Sequence, residues 1–308
     1  MAPPGSEYTI RTSIYPAIEP NQFKGVFTGK VVLVTGSGRG IGREIALAFA
    51  KCGAAVAITG RTADEVEQTR KDAESLGAKT IGVVADGSKS DDLKRLVNQV
   101  TESLGPVDIL VCNAGTNCFM PFHMTDATDW WSQMEIMVKS PVELTRLLLP
   151  AMQSNNSGTI IYTSSRAAQA DLPWTTAYNC AKTSITRFAG TLQTEMNMLQ
   201  PTVLGHADNG ISVFSIHPGE VSTRIHETGF PEKTKREAPY VIDMMDKLHA
   251  VSPEYAVELP AWTCIYLAAG KGKGLEGRMV DCTRDVEEVK ANVLATTSPR
   301  FTNSCSPL

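Results

Sequence analysis

The stretch Val31-Val32-Leu33-Val34-Thr35-Gly36-Ser37-Gly38-Arg39-Gly40-Ile41-Gly42, continued by Ile45 and Phe49, decides the fold. Its five-residue β-branched run reads as a strand buried on both faces, as in a parallel sheet. Ile41, Ile45 and Phe49 recur at helical spacing, so the glycines form a strand-to-helix joint. Glycine permits the tight turn there and lets a pyrophosphate approach backbone N–H groups at the positive end of a helix. A glycine-rich loop alone is weak evidence; between a strand and a helix it predicts a dinucleotide site.

Outward from this joint the same unit repeats. Predicted strands are Val31 to Thr35, Ala55 to Thr59, Thr80 to Val84, Ile109 to Cys112, Thr159 to Thr163, Ile211 to Ile216 and Arg278 to Asp281. Helical patterns lie between them: Leu93, Leu96, Val97, Val100 and Leu104 share one face, Thr62 with Glu65 has the form of a capping box, and Ser252-Pro253 reads as a helix start. The expected fold is a single α/β Rossmann domain over 27–286, with a doubly wound, parallel, seven-stranded sheet and helices on both faces. Residues 1–26 read as an N-terminal arm on the surface, 224–252 as a lid within the domain, and 287–308 as a tail.

Composition narrows the function classes. The chain has 308 residues, 42% of them hydrophobic, and a formal net charge of −4. That gives ample core for one domain and no basic field for nucleic acid. Val31 to Thr35 and Cys264 to Ala269, the longest apolar stretches, are far too short to cross a bilayer, and Met1-Ala-Pro-Pro-Gly-Ser lacks a signal-peptide pattern. A cytoplasmic protein without membrane attachment is expected. Seven scattered cysteines, with no C-x-x-C pair and no zinc spacing, read as reduced thiols and give no metal site.

Thr35-Gly36-x-x-x-Gly40-x-Gly42 resembles the phosphate loop of the short-chain dehydrogenase/reductase family. Asn113-Ala114-Gly115 is similar to its turn after the fourth strand, and Pro218-Gly219 to its segment after the sixth. Tyr178-Asn179-Cys180-Ala181-Lys182 places a phenol and an amine one helical turn apart, a pattern that on its own is common by chance. Ser165, thirteen residues before Tyr178, stands where the family keeps its catalytic serine, and the resemblance runs from about 28 to 284.

The resemblance implies catalysis by Ser165, Tyr178 and Lys182. Tyr178 would exchange a proton with the substrate oxygen, Ser165 would hydrogen-bond that oxygen, and Lys182 would lower the tyrosine pKa and hold the nicotinamide ribose. It implies cofactor binding by Gly36, Ser37, Arg39, Gly40, Ile41, Gly42, Arg61, Asp86, Asn113, Gly115, Tyr178, Lys182, Pro218, Gly219, Val221 and Thr223. A carboxylate at the end of the second strand would favour NAD(H); here stand Gly60 and Arg61, and with Arg39 they favour NADP(H). Homodimers or homotetramers through the helices near 127–153 and 177–199 are implied as well.

This sequence departs from the family at Gly87, where a bulkier residue is usual, at Cys112, where Asn is commoner, and at Met137, where an asparagine usually kinks a helix and supports a proton-relay water. Pro16 to Lys24 is similar to the leader of filamentous-fungal biosynthetic reductases. The predicted activity is interconversion of a ketone and a secondary alcohol on a bulky, mainly apolar molecule, because the lid carries His226, Phe230, Tyr240, Met244 and Met245. Thr116, Asn117, Cys118, Phe119, Ala167 and Trp174 should border the pocket. A non-redox isomerase or cyclase that keeps NADP, motivated by Met137, and a cofactor-binding protein without turnover are the alternatives. His217 reads as a structural hydrogen-bonder.

Overall fold

Seven parallel strands form one sheet in the computed structural model, which describes residues 8–206, 208–224, 228–250 and 253–296. They are β1 (Val31–Thr35), β2 (Ala55–Gly60), β3 (Thr80–Val84), β4 (Ile109–Cys112), β5 (Gly158–Thr163), β6 (Ile211–His217) and β7 (Met279–Asp281). Each predicted strand is present, with its ends within one residue of the expectation. The sheet order β3-β2-β1-β4-β5-β6-β7 reverses direction between β1 and β4, and all the pairings are parallel. Open α/β sheets bind ligands beyond the carboxyl ends of the strands at such a reversal.

Helices cover both faces, which is why β1 is buried at all five positions. Val32 and Val34 pack on one side with Ile45 and Phe49 of α1 (Gly40–Lys51). Val31 and Leu33 point to the other side, into a cluster that includes Leu96, Leu144 and Ile185. The alternation is the two-residue period of a strand. The first side is completed by a helix over Glu258–Tyr266, and the second by α3 (Ser90–Leu104), α5 (Ser140–Asn155) and α6 (Thr176–Thr202), with α2 (Ala63–Ser75) following β2 and α4 (Ala127–Met134) preceding α5. The remaining helices, continuing the numbering, are α7 (Glu232–Glu237), α8 (Tyr240–Ala250), α9 (Glu258–Tyr266) and α10 (Val286–Thr296).

Four expectations are corrected. The described part of the N-terminal arm is built into the core: Ile18 and Phe23 are fully buried, and Phe27 packs edge-on against Phe49. Short 3-10 turns, Pro16–Ile18 and Pro20–Phe23, carry these side chains, and neither has a periodic pattern. The arm also clamps the other end of the chain, with Arg11 on Asp285 at 2.7 Å and Ile10 bridged to Arg284. Residues 287–296, taken as tail, belong to α10; the rest of the expected tail lies outside the described residues. Thr62 sits at the N-cap of α2 without capping through its side chain, and the Glu65 carboxylate, the other half of the expected box, meets two arginines instead. Ser252 lies outside the described residues and Pro253 starts no helix; α9 begins five residues after it.

Burial of Phe23 makes the arm a stability element. Phe23→Ala is expected to lower the unfolding free energy by about 3–5 kcal/mol in urea titrations. A change within about 0.5 kcal/mol, the usual effect of a surface substitution, would return the arm to the surface.

Candidate active site

The phosphate end is shaped by three glycines. Gly36 has φ of +64°, and a Cβ there would stand 2.9 Å from Ala114 Cα; one on Gly42 would overlap Gly36 O. Gly40 also has positive φ, yet the nearest atom to a Cβ there is Thr223 Cγ2 at 3.7 Å. Arg39 stands at the N-cap of α1 with no side-chain cap, so the amides of the first turn have no partner from that residue. Uncapped amides under an open approach fit a pyrophosphate, and the residues present therefore suit a dinucleotide.

Two expected cofactor residues serve the loop itself. Ser37 is completely buried: its hydroxyl donates to Val34 O at 2.7 Å and accepts Thr59 N–H at 2.9 Å, tying β1 to β2. The Ser37 hydroxyl is thus spent inside the fold, which leaves only its main chain to face a cofactor. Asn113 donates its side-chain amide to Thr35 O and Gly36 O, both at 3.3 Å. Thr35 Oγ1, which the sequence did not single out, accepts the N–H groups of Asn113 and Ala114. Its signal was only that Thr precedes the first glycine.

At the end of β2, Arg61 is exposed, and its guanidinium helps to hold the Asp86 carboxyl below its ordinary range. The larger cause is the Ser88 backbone N–H, donated to Asp86 Oδ1 at 3.1 Å. Arg39 Nη1 reaches Glu65 Oε1 at 3.2 Å. The departure at Gly87 has a steric reason, because a Cβ there would meet Ser140 Oγ at 3.0 Å. Cys112 is a buried wall residue whose thiol burial pushes up.

The catalytic end joins β5 to the start of α6. Ser165, two residues past β5, is the extended N-cap of a 3-10 turn over Arg166–Ala168, where its Oγ accepts Ala167 N–H at 3.1 Å and hydrogen-bonds Tyr178. Lys182 lies one turn along α6, its Nζ 5.3 Å from the Tyr178 ring centroid and donating to Thr163 O at 2.6 Å. Burial pushes Lys182 down to about 8. Tyr178 moves up rather than down, again through burial, with the Ser165 hydrogen bond opposing the rise. The lowering expected of Lys182 is not what opposes the rise; the Ser165 hydrogen bond does so, while the amine stands 5.3 Å from the ring centroid.

Gly115 connects the two ends, since a Cβ there would touch both Met137 Sδ at 3.7 Å and Lys182 Nζ at 3.8 Å. Met137 is buried within a π-turn, Glu135–Lys139, between α4 and α5. The helix distortion expected of an asparagine is thus present without one. Pro218 and Gly219 follow β6, Val221 and Thr223 stand half-buried beyond them, and the loop is pinned to the turn after β5 by Arg166 on Glu220. His217 Nδ1 accepts Arg166 N–H, and burial moves the imidazole down to about 4 despite Asp281 nearby. It is a neutral acceptor, the structural hydrogen-bonder expected.

The described lid packs on the rim of the cleft. Phe230 stacks on Phe119 with centroids 4.8 Å apart, Thr234 donates to Phe119 O, and Tyr240 meets Trp174 edge-on. Phe119 and Ala167 are packing residues, each under 6% exposed, whereas Cys118 is half-buried. Met245 is buried and Met244 exposed; His226 lies outside the described residues. Among the described residues no cluster could hold a metal ion and no helix is long and apolar enough to cross a membrane.

Lys182 generates a prediction about stability. Its displacement from 10.5 to about 8 corresponds to about 3 kcal/mol. The folded chain disfavours the ammonium relative to the unfolded chain, so the penalty is full below the folded value and fades as pH rises toward 10.5. Lys182→Met is expected to stabilise the protein at pH 7 by about 1–2 kcal/mol, after the lost bond to Thr163 is set against that relief. Urea titrations should show the gain shrinking by pH 10; an equal gain at both pH values contradicts the account.

Comparison with known proteins agrees with this geometry. Residues 30–234 match the profile of the short chain dehydrogenase family. A short chain dehydrogenase of Pseudocercospora fijiensis is 33% identical over 278 residues, covering 89% of this chain and 87% of that protein. The short chain dehydrogenase citE of Monascus ruber is 29% identical over 300 residues, 94% of this chain and 93% of its own. A ketoacyl reductase, HetN of Nostoc, is 30% identical over 212 residues, 69% of each chain. By the match of its profile, the extent of these relatives and the joint of serine, tyrosine and lysine on one Rossmann sheet, the chain belongs to the short chain dehydrogenase family.

Proposed function

We propose that this protein is an NADP(H)-dependent oxidoreductase that interconverts a ketone and a secondary alcohol on a bulky, mainly apolar small molecule. The observation that carries the reading is the convergence of Ser165, Tyr178 and Lys182 beside the glycine joint. When bound, the nicotinamide supplies or takes up a hydride. The protein supplies position and a proton. Tyr178 donates its phenolic proton to the carbonyl oxygen, or accepts the alcohol proton in the reverse direction. Ser165 Oγ, anchored by Ala167 N–H, passes its hydrogen bond from Tyr178 to that oxygen once substrate is bound. Lys182, at about 8, carries its charge at neutral pH and attracts the phenolate as it forms.

Arg39 and Arg61 support NADP(H) over NAD(H), since planar guanidinium forks suit a phosphate dianion. Phe230, Met245 and Trp174 around the lid support an apolar substrate. The fungal relatives and the fungal-like leader, Pro16 to Lys24, support a place in secondary-metabolite biosynthesis in the cytoplasm. Exposed Leu147 on α5 and Met198 on α6 support assembly as a homodimer or homotetramer through those helices.

Product analysis with NADPH and a panel of bulky ketones tests the reading, which requires ketone-dependent NADPH oxidation; conversion of substrate without it would favour the isomerase alternative. Tyr178→Phe should keep cofactor binding and lose at least about 100-fold in turnover, and activity within a few-fold of wild type would exclude the tyrosine as acid. Arg61→Asp should weaken NADPH far more than NADH. An unchanged preference would overturn the cofactor assignment.

A further inference from the structure

We propose that Arg224, at the start of the lid segment, is a third guanidinium for the 2′-phosphate of the cofactor and ties the lid root to the bound dinucleotide. The proposal rests on the NADP(H) reading and adds a residue from a different part of the chain. Arg224 Nη1 and Arg39 Nη1 both stand 3.2 Å from the same atom, Glu65 Oε1. The two nitrogens are therefore no more than twice that distance apart. Two guanidinium groups converge on one carboxylate oxygen, which leaves one positive charge uncompensated between them.

The surroundings place this convergence at the adenosine end of the cleft. Glu65 belongs to the first turn of α2, directly after the strand whose end selects between ribose and ribose phosphate. Gly38 of the phosphate loop lies against it, since a Cβ on Gly38 would be 3.0 Å from Glu65 Cβ. On the opposite side, Thr223 Cγ2 stands 3.7 Å from the Cβ position of Gly40, so the lid root lies over the start of α1. Arg224 thus reaches from the segment that roofs the phosphate loop to the helix that floors the ribose site. It joins residues 159 positions apart in sequence.

A carboxylate in the first turn of a helix is favoured by the helix dipole, and a phosphate there is favoured more, with up to two negative charges and three acceptor oxygens. Arg224, Arg39 and Glu65 are 61%, 49% and 27% exposed, so their mutual ion pairs are screened by water and yield readily to a dianion. Glu65 holds the two forks together in readiness. On binding, the forks pass to the phosphate, and Arg224 draws the lid root with it.

The probes are 2′,5′-ADP and 5′-AMP, titrated calorimetrically into the full chain, with trypsin cleavage at the exposed Lys235 and Arg236 as a second readout. Wild type is expected to prefer 2′,5′-ADP, and that ligand, not 5′-AMP, should protect the lid from trypsin. Arg224→Gln should lower the preference by about tenfold, leave 5′-AMP binding unchanged and abolish the protection. Glu65→Gln should raise 2′,5′-ADP affinity a few-fold, because both forks are released. A preference that survives intact in Arg224→Gln overturns the assignment of Arg224 alone. A wild type that binds the two nucleotides equally overturns the NADP(H) reading together with it.

Discussion

The bond set between the ends of β1 and β4 holds the rest of the molecule in register. Thr35 Oγ1 accepts two N–H groups from the β4 exit, and the Asn113 amide returns two bonds to the carbonyls of Thr35 and Gly36. Four bonds across the point where the sheet reverses direction fix the glycine loop without any contribution from a ligand. The same turn carries Gly115, whose missing side chain admits both Met137 and Lys182. A side chain at Gly36 or Gly42 would collide with the backbone of this joint.

The pair of Tyr178 and Lys182 is held against its own preference. Lys182 is nearly fully buried, and burial is the cause of its lowered value as it is of the raised value of Tyr178. Neither charged form is comfortable in such surroundings, which makes each group responsive to a substrate oxygen or a neighbouring charge. The rigid sheet and the long α6 helix offset that strain. Met137 completes the enclosure by apolar packing in a π-turn, so the local helix geometry does not depend on an amide at that position.

Much of this was legible in the sequence because its signals are local. β-branched runs marked the strands to within a residue, and Ser165 and the Tyr178–Lys182 spacing marked side chains that the fold does bring together. What escaped is non-local or non-periodic. Ile18 and Phe23 enter the core from 3-10 turns that leave no helical or alternating pattern. Glu65 looked like half of a capping box, but its carboxylate meets Arg39 and Arg224, a partner far along the chain. Ser37 sits inside a binding motif, yet its hydroxyl is consumed by β1 and β2. Spacing shows which residues share a turn; it does not show which way a short side chain faces.

The central claim is that this scaffold transfers a hydride while Tyr178 handles the proton. NADPH carrying deuterium at the transferable position of the nicotinamide, supplied with a ketone that the enzyme accepts, tests it most directly. The account predicts an alcohol with deuterium on the carbinol carbon and a hydroxyl hydrogen from solvent, formed in equal amount to the NADPH consumed. A converted substrate with no deuterium and no NADPH consumption would contradict it, and would show that the joint serves chemistry other than redox.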